Sequence, residues 1–204
     1  MKNKLIFTEF LREHNLDENL VERFEDFLIS LLEQNEIVNL VSRKTTEEEF
    51  WTKHFLDSIS PLPYVDFFGK KILDFGTGGG LPGIPIKLLY PDCEMYLLDS
   101  RLKKTEAVKK IVKTLDLKQC FTIVSRIEDL GPDKTEYFDL ILCRSVKITP
   151  EYTKKMFELL KKNGKIVLYK SKILDDTEHF YHKKMYEFEI PETGTRKIIV
   201  IEKK

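Results

Sequence analysis

From residue 71 onward the chain alternates short β-rich runs with charged stretches of helical length, and few architectures tolerate that pattern. The runs are Lys71 to Phe75, Glu94 to Asp99, Phe121 to Ser125, Phe138 to Cys143 and Lys165 to Tyr169. Neighbouring parallel strands need a crossover of about a dozen residues or more, which each gap here can hold. The pattern therefore predicts βαβ units and a mostly parallel sheet covered on both faces. The ending differs. Tyr186 to Ile190 and Lys197 to Glu202 are separated only by Pro191 to Arg196, too short for a helical crossover, which predicts an antiparallel hairpin.

Before residue 70 the hydrophobic period is helical. Leu20, Phe24, Phe27, Leu28, Leu31 and Leu32 recur at three- and four-residue spacing behind Asp17, a candidate cap. A second helix is expected from Thr46, where Thr46 and Glu49 have capping-box spacing. Phe50, Trp51, His54, Phe55 and Ile59 then share a broad face until Pro61. The expected organisation is an N-terminal helical extension over residues 1–68 and a sheet domain over 69–204.

With 42% hydrophobic residues in 204, the chain can bury a core and is not a disordered polymer. Its charged start, MKNKLIFTEFLREH, lacks a signal peptide's apolar stretch, and no apolar run approaches the roughly 20 residues that span a bilayer, so a cytoplasmic location is expected. Cys93, Cys120 and Cys143 are too few and too far apart for a disulfide framework or a metal knuckle, and read as small core residues. The balance of 34 basic and 34 acidic side chains conceals an asymmetry: 8 basic against 14 acidic up to residue 70, then 26 against 20. A polyanion would prefer the second part, although surface lysines also merely solubilise helices.

The chemistry concentrates in the first strand-to-helix junction, ILDFGTGGGLPGIPIKLL. Gly76, Gly78, Gly79 and Gly80 follow the strand, and a helix is expected from about Pro82. Bare backbone at the carboxyl end of a parallel sheet can approach a ligand closely. Gly78, Gly80 and Gly83 satisfy the dinucleotide pattern G-x-G-x-x-G, which alone is weak. Two acids narrow the choice. Asp74, just before the glycines, would repel a pyrophosphate and suit a ligand with an amino or sulfonium cation, as in S-adenosylmethionine. Asp99 ends the second strand 23 residues after Gly76, where a carboxylate can accept from both ribose hydroxyls. Beyond the third strand, Ile127, Glu128 and Asp129 are placed to hold an adenine amine or to cap a turn. Arg144, closing the fourth strand, is placed where donor and acceptor would meet, or to pair with Asp99 or a phosphate.

The block DFGTGGGLPGIPIKLLYPD, together with LLDSRLKK, SRIEDL, FDLILCRSV and the upstream NLVS and KHFLDS segments, resembles the bacterial small-subunit ribosomal RNA guanine methyltransferase family RsmG, also called the glucose-inhibited division protein B family. The resemblance runs from about residue 20 to the end. It implies a class I methyltransferase on a seven-stranded sheet, with S-adenosylmethionine as donor and N7 of a guanine in the 530 loop of 16S ribosomal RNA as acceptor. It also implies donor contacts at Gly76, Leu81, Asp99, Ile127, Glu128 and Arg144. Departures are Lys53 where the family often has Arg, Ser145 where it commonly has Ala, and the run Val146-Lys147-Ile148.

Guanine N7 carries a free lone pair at neutral pH, so its methylation needs no general base, and orientation can carry the catalysis. No acidic-or-amide Pro-Pro-aromatic motif follows the fourth strand, which argues against methylation of an exocyclic amine, and Cys143 lies in an apolar strand, which argues against a covalent cysteine adduct. His179 and His182 have metal-like spacing but no third ligand nearby, so no metal is expected. RNA contacts are expected among the basic residues Arg101, Lys103, Lys104, Lys109, Lys110, Lys113, Lys147, Lys154, Lys155, Lys161, Lys162, Lys170 and Lys172. His54 and Asp57 share a helical face. Structural capping is the favoured reading for them, with covering of the acceptor side as the other. The partner expected is 16S ribosomal RNA or the small subunit, with no membrane and a monomeric protein. Three competitors remain from the residues: a methyltransferase of another substrate, a nicotinamide-dependent oxidoreductase, and a non-catalytic RNA-binding assembly factor.

Overall fold

The computed structural model describes residues 2–171, 175–178, 180 and 182–204, so that Lys172 and His179 lie outside the described residues. Among these, seven strands form one sheet in the order β3-β2-β1-β4-β5-β7-β6. They are β1 (Lys71–Phe75), β2 (Glu94–Asp99), β3 (Cys120–Val124), β4 (Phe138–Arg144), β5 (Leu160–Lys170), β6 (Lys183–Ile190) and β7 (Gly194–Glu202). The first five are parallel, and β7 runs antiparallel between β5 and β6. The expected hairpin is present, but its turn is shorter than Pro191 to Arg196. Strand β7 already starts at Gly194, which brings Arg196 into the sheet opposite Phe188.

Side chains alternate between the two faces with the period of two that a strand imposes. Ile72, Met95, Leu97, Leu140, Leu142 and Val167 join one core, while Leu73, Tyr96, Leu98, Ile141, Cys143 and Leu168 join the other. The first core is covered by the helices α1 (Lys2–Glu13), α2 (Leu20–Ile37), α3 (Glu47–Phe50), α4 (Asp57–Ile59), α5 (Gly83–Leu89) and α6 (Leu102–Thr114), the second by α7 (Pro150–Leu159). Burial on both faces explains why the parallel strands read as near-continuous apolar runs.

Helix α1 went unforeseen as a separate element. Only Asn3, Phe7 and Leu11 of it are buried; Phe7 and Leu11 enter the core, with the Phe7 ring centroid 4.7 Å from Phe24 and 5.3 Å from Trp51. Asp17 does not cap α2. Its Oδ1 instead accepts from the Asn19 N–H, a turn contact that precedes the helix. The Thr46–Glu49 box is complete: Glu49 N–H donates to Thr46 Oγ1 at 3.3 Å and Thr46 N–H to Glu49 Oε2 at 2.9 Å. The helix it starts is not uniform, because Trp51–Leu56 winds as a wider π-helical turn between α3 and α4. Such turns often accompany functional sites, and this one carries His54 and leads into Asp57.

The chain leaves β1 outward to β2 and β3 and then returns to β4, so β1 and β4 are adjacent and their exits diverge. A crevice forms at that switch point, outside the carboxyl ends of the strands.

Candidate functional site: two joined cavities at the carboxyl edge

A cavity of about 560 Å³ opens at the crevice, with a floor made by the exits of β1, β2, β3 and β4. Gly76, Gly78, Gly79 and Leu81 come from the glycine loop, Asp99 from β2, Ile127 and Glu128 from the turn after β3, and Arg144 from the end of β4. The loop has no side chains to spare. Gly76 has φ +76°, and a Cβ there would lie 2.5 Å from Val146 Cγ2. Asp99 ties the loop to β2, with Oδ2 accepting from Gly78 N–H at 3.2 Å and Oδ1 from Arg101 N–H at 2.9 Å. The helical layer closes one side: buried Asn35 Oδ1 accepts from the N–H groups of Leu40 and Val41, and this fixed turn brings both residues to the lining.

Two expected contacts sit elsewhere. Asp74 is fully buried beneath the loop, where its Oδ2 accepts from Thr77 Oγ1 at 2.6 Å and from Gly83 N–H at 2.8 Å. It clasps the loop and does not face the cavity. Gly80 turns toward Ile84, whose Cδ1 lies 2.4 Å from where a Cβ would be, so its bareness serves packing. The helix begins at Gly83, one residue after Pro82, and Gly83 is required because a Cβ would approach Asp74 Oδ2 to 2.7 Å. Of the three glycines in the dinucleotide pattern, only Gly78 reaches the lining. Glu128 and Asp129 make no side-chain cap on their turn.

Burial pushes the Asp74 carboxyl up to about 6, and its Oδ1 has no hydrogen-bond partner. A carboxyl whose folded pKa exceeds its ordinary value near 4 binds its proton more tightly in the folded chain. Its contribution to stability is therefore complete below about pH 4 and is lost as pH rises through about 6. Asp74→Asn keeps an acceptor for Thr77 and Gly83 without the charge. Urea unfolding should show wild type losing about 2 kcal/mol relative to Asp74→Asn between pH 4 and pH 7. Parallel pH profiles for the two proteins would contradict this assignment.

A second cavity of about 310 Å³ adjoins the first and shares His54, Arg144 and Ser145 with it. Arg144 does not pair with Asp99. Its Nη1 donates to Asp57 Oδ2 at 2.9 Å, and Arg196 Nε donates to Asp57 Oδ1 at 3.1 Å, so one carboxylate bridges two guanidinium groups. Asp57 therefore caps nothing; it ties the helical layer to β4 and β7. His54 Nδ1 lies 3.4 Å from Arg144 Nη2. Burial first, then the Arg144 and Lys53 charges, push the imidazole down to about 3, so the ring is neutral at physiological pH. Because a guanidinium only donates, Nδ1 is the acceptor and the proton sits on Nε2. Lys170 is held by Asp176 at 2.5 Å with its side chain 11% exposed, which withdraws it from the free cations. Lys155 and Lys161 pair with Glu158 and Asp139. Lys104 lines the first cavity, while Lys103 and Lys147 are exposed. Sequence reasoning gave no role to Leu40, Val41 and Tyr152, nor to Arg196.

Burial pushes the Cys143 thiol up to about 12, so it stays protonated and is a poor nucleophile. Among the described residues no three His, Cys, Asp or Glu side chains gather as a metal site, and no helix is long and apolar enough to cross a membrane.

The sheet order and the cleft at its switch point are those of S-adenosylmethionine-dependent methyltransferases. Precorrin-6y C5,15-methyltransferase from Geobacter metallireducens superposes with TM-score 0.60 at 16% identity, over 80% of this chain and 93% of that one. The tRNA (m1A58) methyltransferase TrmI from Aquifex aeolicus does so with TM-score 0.60 at 14% identity, over 74% and 69%. Within that class, the family model for rRNA small subunit methyltransferase G (GidB) matches residues 20–196, and the chain belongs to this family. The ribosomal RNA small subunit methyltransferase G of Acetivibrio thermocellus is 30% identical over 201 residues, covering 93% of this chain and 83% of the relative. That of Lachnoclostridium phytofermentans is 32% identical over 219 residues, covering 100% and 90%. The nicotinamide reading of the glycine pattern falls with these likenesses.

Proposed function

We propose that this protein transfers a methyl group from S-adenosylmethionine to N7 of a guanine in the 530 loop of 16S ribosomal RNA. The observation that carries the reading, beyond family membership, is the pair of joined cavities with Arg144 in their common wall. The residues present fit the donor: a bare glycine loop, a carboxylate at the end of β2, and apolar walls from Leu40, Val41 and Ile127. In this reading Gly76, Gly78 and Leu81 lie along the donor, Asp99 accepts from the ribose, and Ile127 and Glu128 hold the adenine. Asp74 and Gly80 act one step back by shaping the loop. When bound, S-adenosylmethionine supplies an electrophilic methyl group on a sulfonium centre.

The chain's own task is to present the guanine lone pair in line and to keep water out. Arg144, fixed by Asp57, would orient the acceptor without removing a proton, because N7 has none. The neutral His54 fits that requirement, since it neither adds charge nor has to act as a base. Lys103, Lys104 and Lys147, with Arg101, would meet the RNA backbone at the rim. Residues 69–204 would form the methyltransferase unit and residues 1–68 its helical cover, the whole acting as a cytoplasmic monomer on the small subunit or its RNA.

Asp99→Ala tests the donor site. Losing charge-assisted hydrogen bonds should weaken S-adenosylmethionine binding by about 1.5 to 3 kcal/mol in titration calorimetry, with the fold retained by circular dichroism. An unchanged affinity would remove Asp99 from the site. Absence of any donor binding by wild type would instead favour an RNA-binding assembly factor.

A further inference from the structure

Among the described residues, four cations line the second cavity and three carboxylates pair with them. Lys53 pairs with Glu49 and Lys170 with Asp176, each one to one, whereas Arg144 and Arg196 share Asp57. Within this lining, two guanidinium groups therefore share one carboxylate, and the buried Asp74, which also feels the Arg144 charge, stands behind the wall and not in the cavity. The guanidinium charge is not spread over solvent, because the Arg144, Asp57 and Arg196 side chains are only 12%, 10% and 24% exposed. A partly buried excess charge is costly unless an anion joins it.

The lining also states what kind of ligand fits. Asp57 already accepts from both guanidinium groups, and no other carboxylate lines this cavity among the described residues. The Tyr169 hydroxyl donates to Ser58 O at 2.8 Å. A guanine's Watson–Crick edge presents N–H donors and would meet no free carboxylate here. An acceptor-only anion would meet the remaining N–H groups of two neighbouring guanidinium ions, that of Arg196 also donating from Nη1 to Thr195 O at 3.1 Å, a donor set suited to phosphate. The cavity lies against the donor cavity, with His54, Arg144 and Ser145 as their common wall. A nucleotide whose base reached the methyl group would thus bring its backbone within range.

We propose that Arg196 and Arg144, bridged by Asp57, form a phosphodiester subsite that holds the backbone phosphate next to the acceptor nucleotide. The proposal rests on the methyltransferase reading above and adds to it the group that fixes the acceptor's position. It also explains why Arg196 is carried on β7. Lys197 of that strand pairs with Lys170 of β5, so the preceding residues of β7 project past the carboxyl edge of the parallel strands, where the cavity lies.

The test is a titration, followed by the arginine side-chain N–H signals, with guanosine 5′-monophosphate, guanosine and inorganic phosphate against wild type, Arg196→Gln and Arg196→Lys. Wild type should saturate with inorganic phosphate and prefer the monophosphate over guanosine by about tenfold or more. Arg196→Gln, which leaves a neutral Arg144–Asp57 pair, should lose that preference, and Arg196→Lys should keep part of it. Lys118→Gln, on an exposed lysine in the connection between α6 and β3, should change nothing and controls for general anion attraction. Calorimetry with S-adenosylmethionine separates the remaining outcomes. Arg196→Gln should bind the donor within twofold of wild type. A large loss of donor affinity would assign the cluster to the donor's own carboxylate and overturn the proposal, as would equal binding of nucleotide and nucleoside by wild type. Failure of wild type to bind the donor would sink the methyltransferase reading while leaving the phosphate preference measurable.

Discussion

Replacing Asp57 with alanine is expected to cost about 3 to 5 kcal/mol of stability. The Asp57 side chain is buried and bridges Arg144 on β4 with Arg196 on β7. Its removal leaves two guanidinium groups facing one another with no counter-charge, a heavier penalty than the net worth of either pair. The helical layer also loses one of its polar ties to the sheet at that end and keeps the Tyr169 hydroxyl bond to Ser58 O. Urea unfolding should show the midpoint falling with the m-value unchanged, and Asp57→Asn, which keeps one acceptor, should lose less. A loss below about 1 kcal/mol for Asp57→Ala would show that the guanidinium groups turn to solvent when released. The bridge would then not be a fixed element.

Arg144→Ala should cut methyl transfer by about a hundredfold or more at saturating donor and RNA, with little effect on folding. The stability effect is small because removing Arg144 leaves Asp57 with Arg196, a balanced pair. The kinetic effect is large because the guanidinium stands in the wall between both cavities and is aimed by Asp57 and the neutral His54. Lysine should rescue little, since a point charge lacks the planar fork that binds Asp57 and a ligand together. A single-turnover rate for Arg144→Ala within a few-fold of wild type would make the residue a structural ion-pair partner and nothing more.

How much of this was legible in the sequence depended on whether local pattern or long-range pairing sets each feature. Strands Lys71–Phe75 and Glu94–Asp99 are bounded as the apolar runs suggested, because burial on both faces writes itself directly into composition. The Thr46–Glu49 box was equally readable, being a three-residue contact. Helix α1 was not, since three buried positions in twelve leave only a thin periodic signal. The same limit hid the bridge. Asp57, Arg144 and Arg196 lie 87 and 139 residues apart along the pairs they form, and no local rule joins them. Arg196 was further obscured by the loop expected over Pro191 to Arg196, whereas the turn closes early at Gly194. The sequence marks Asp74 as an acid facing the ligand, whereas the structure turns it onto Thr77 and Gly83 of the loop itself. A carboxylate beside a glycine loop can face a ligand or the loop's own N–H groups, and the position of Gly83 decides for the second.

The identity of the methylated atom tests the proposed methyl transfer most directly. Small subunits and free 16S ribosomal RNA lacking the modification should be incubated with the protein and isotopically labelled S-adenosylmethionine, and the RNA digested and mapped by mass spectrometry. The account predicts one labelled 7-methylguanine, in the 530 loop, on at least one of the two substrates. Label on an exocyclic amine, on a different base or outside that loop would contradict it, as would no label from a protein shown to bind the donor.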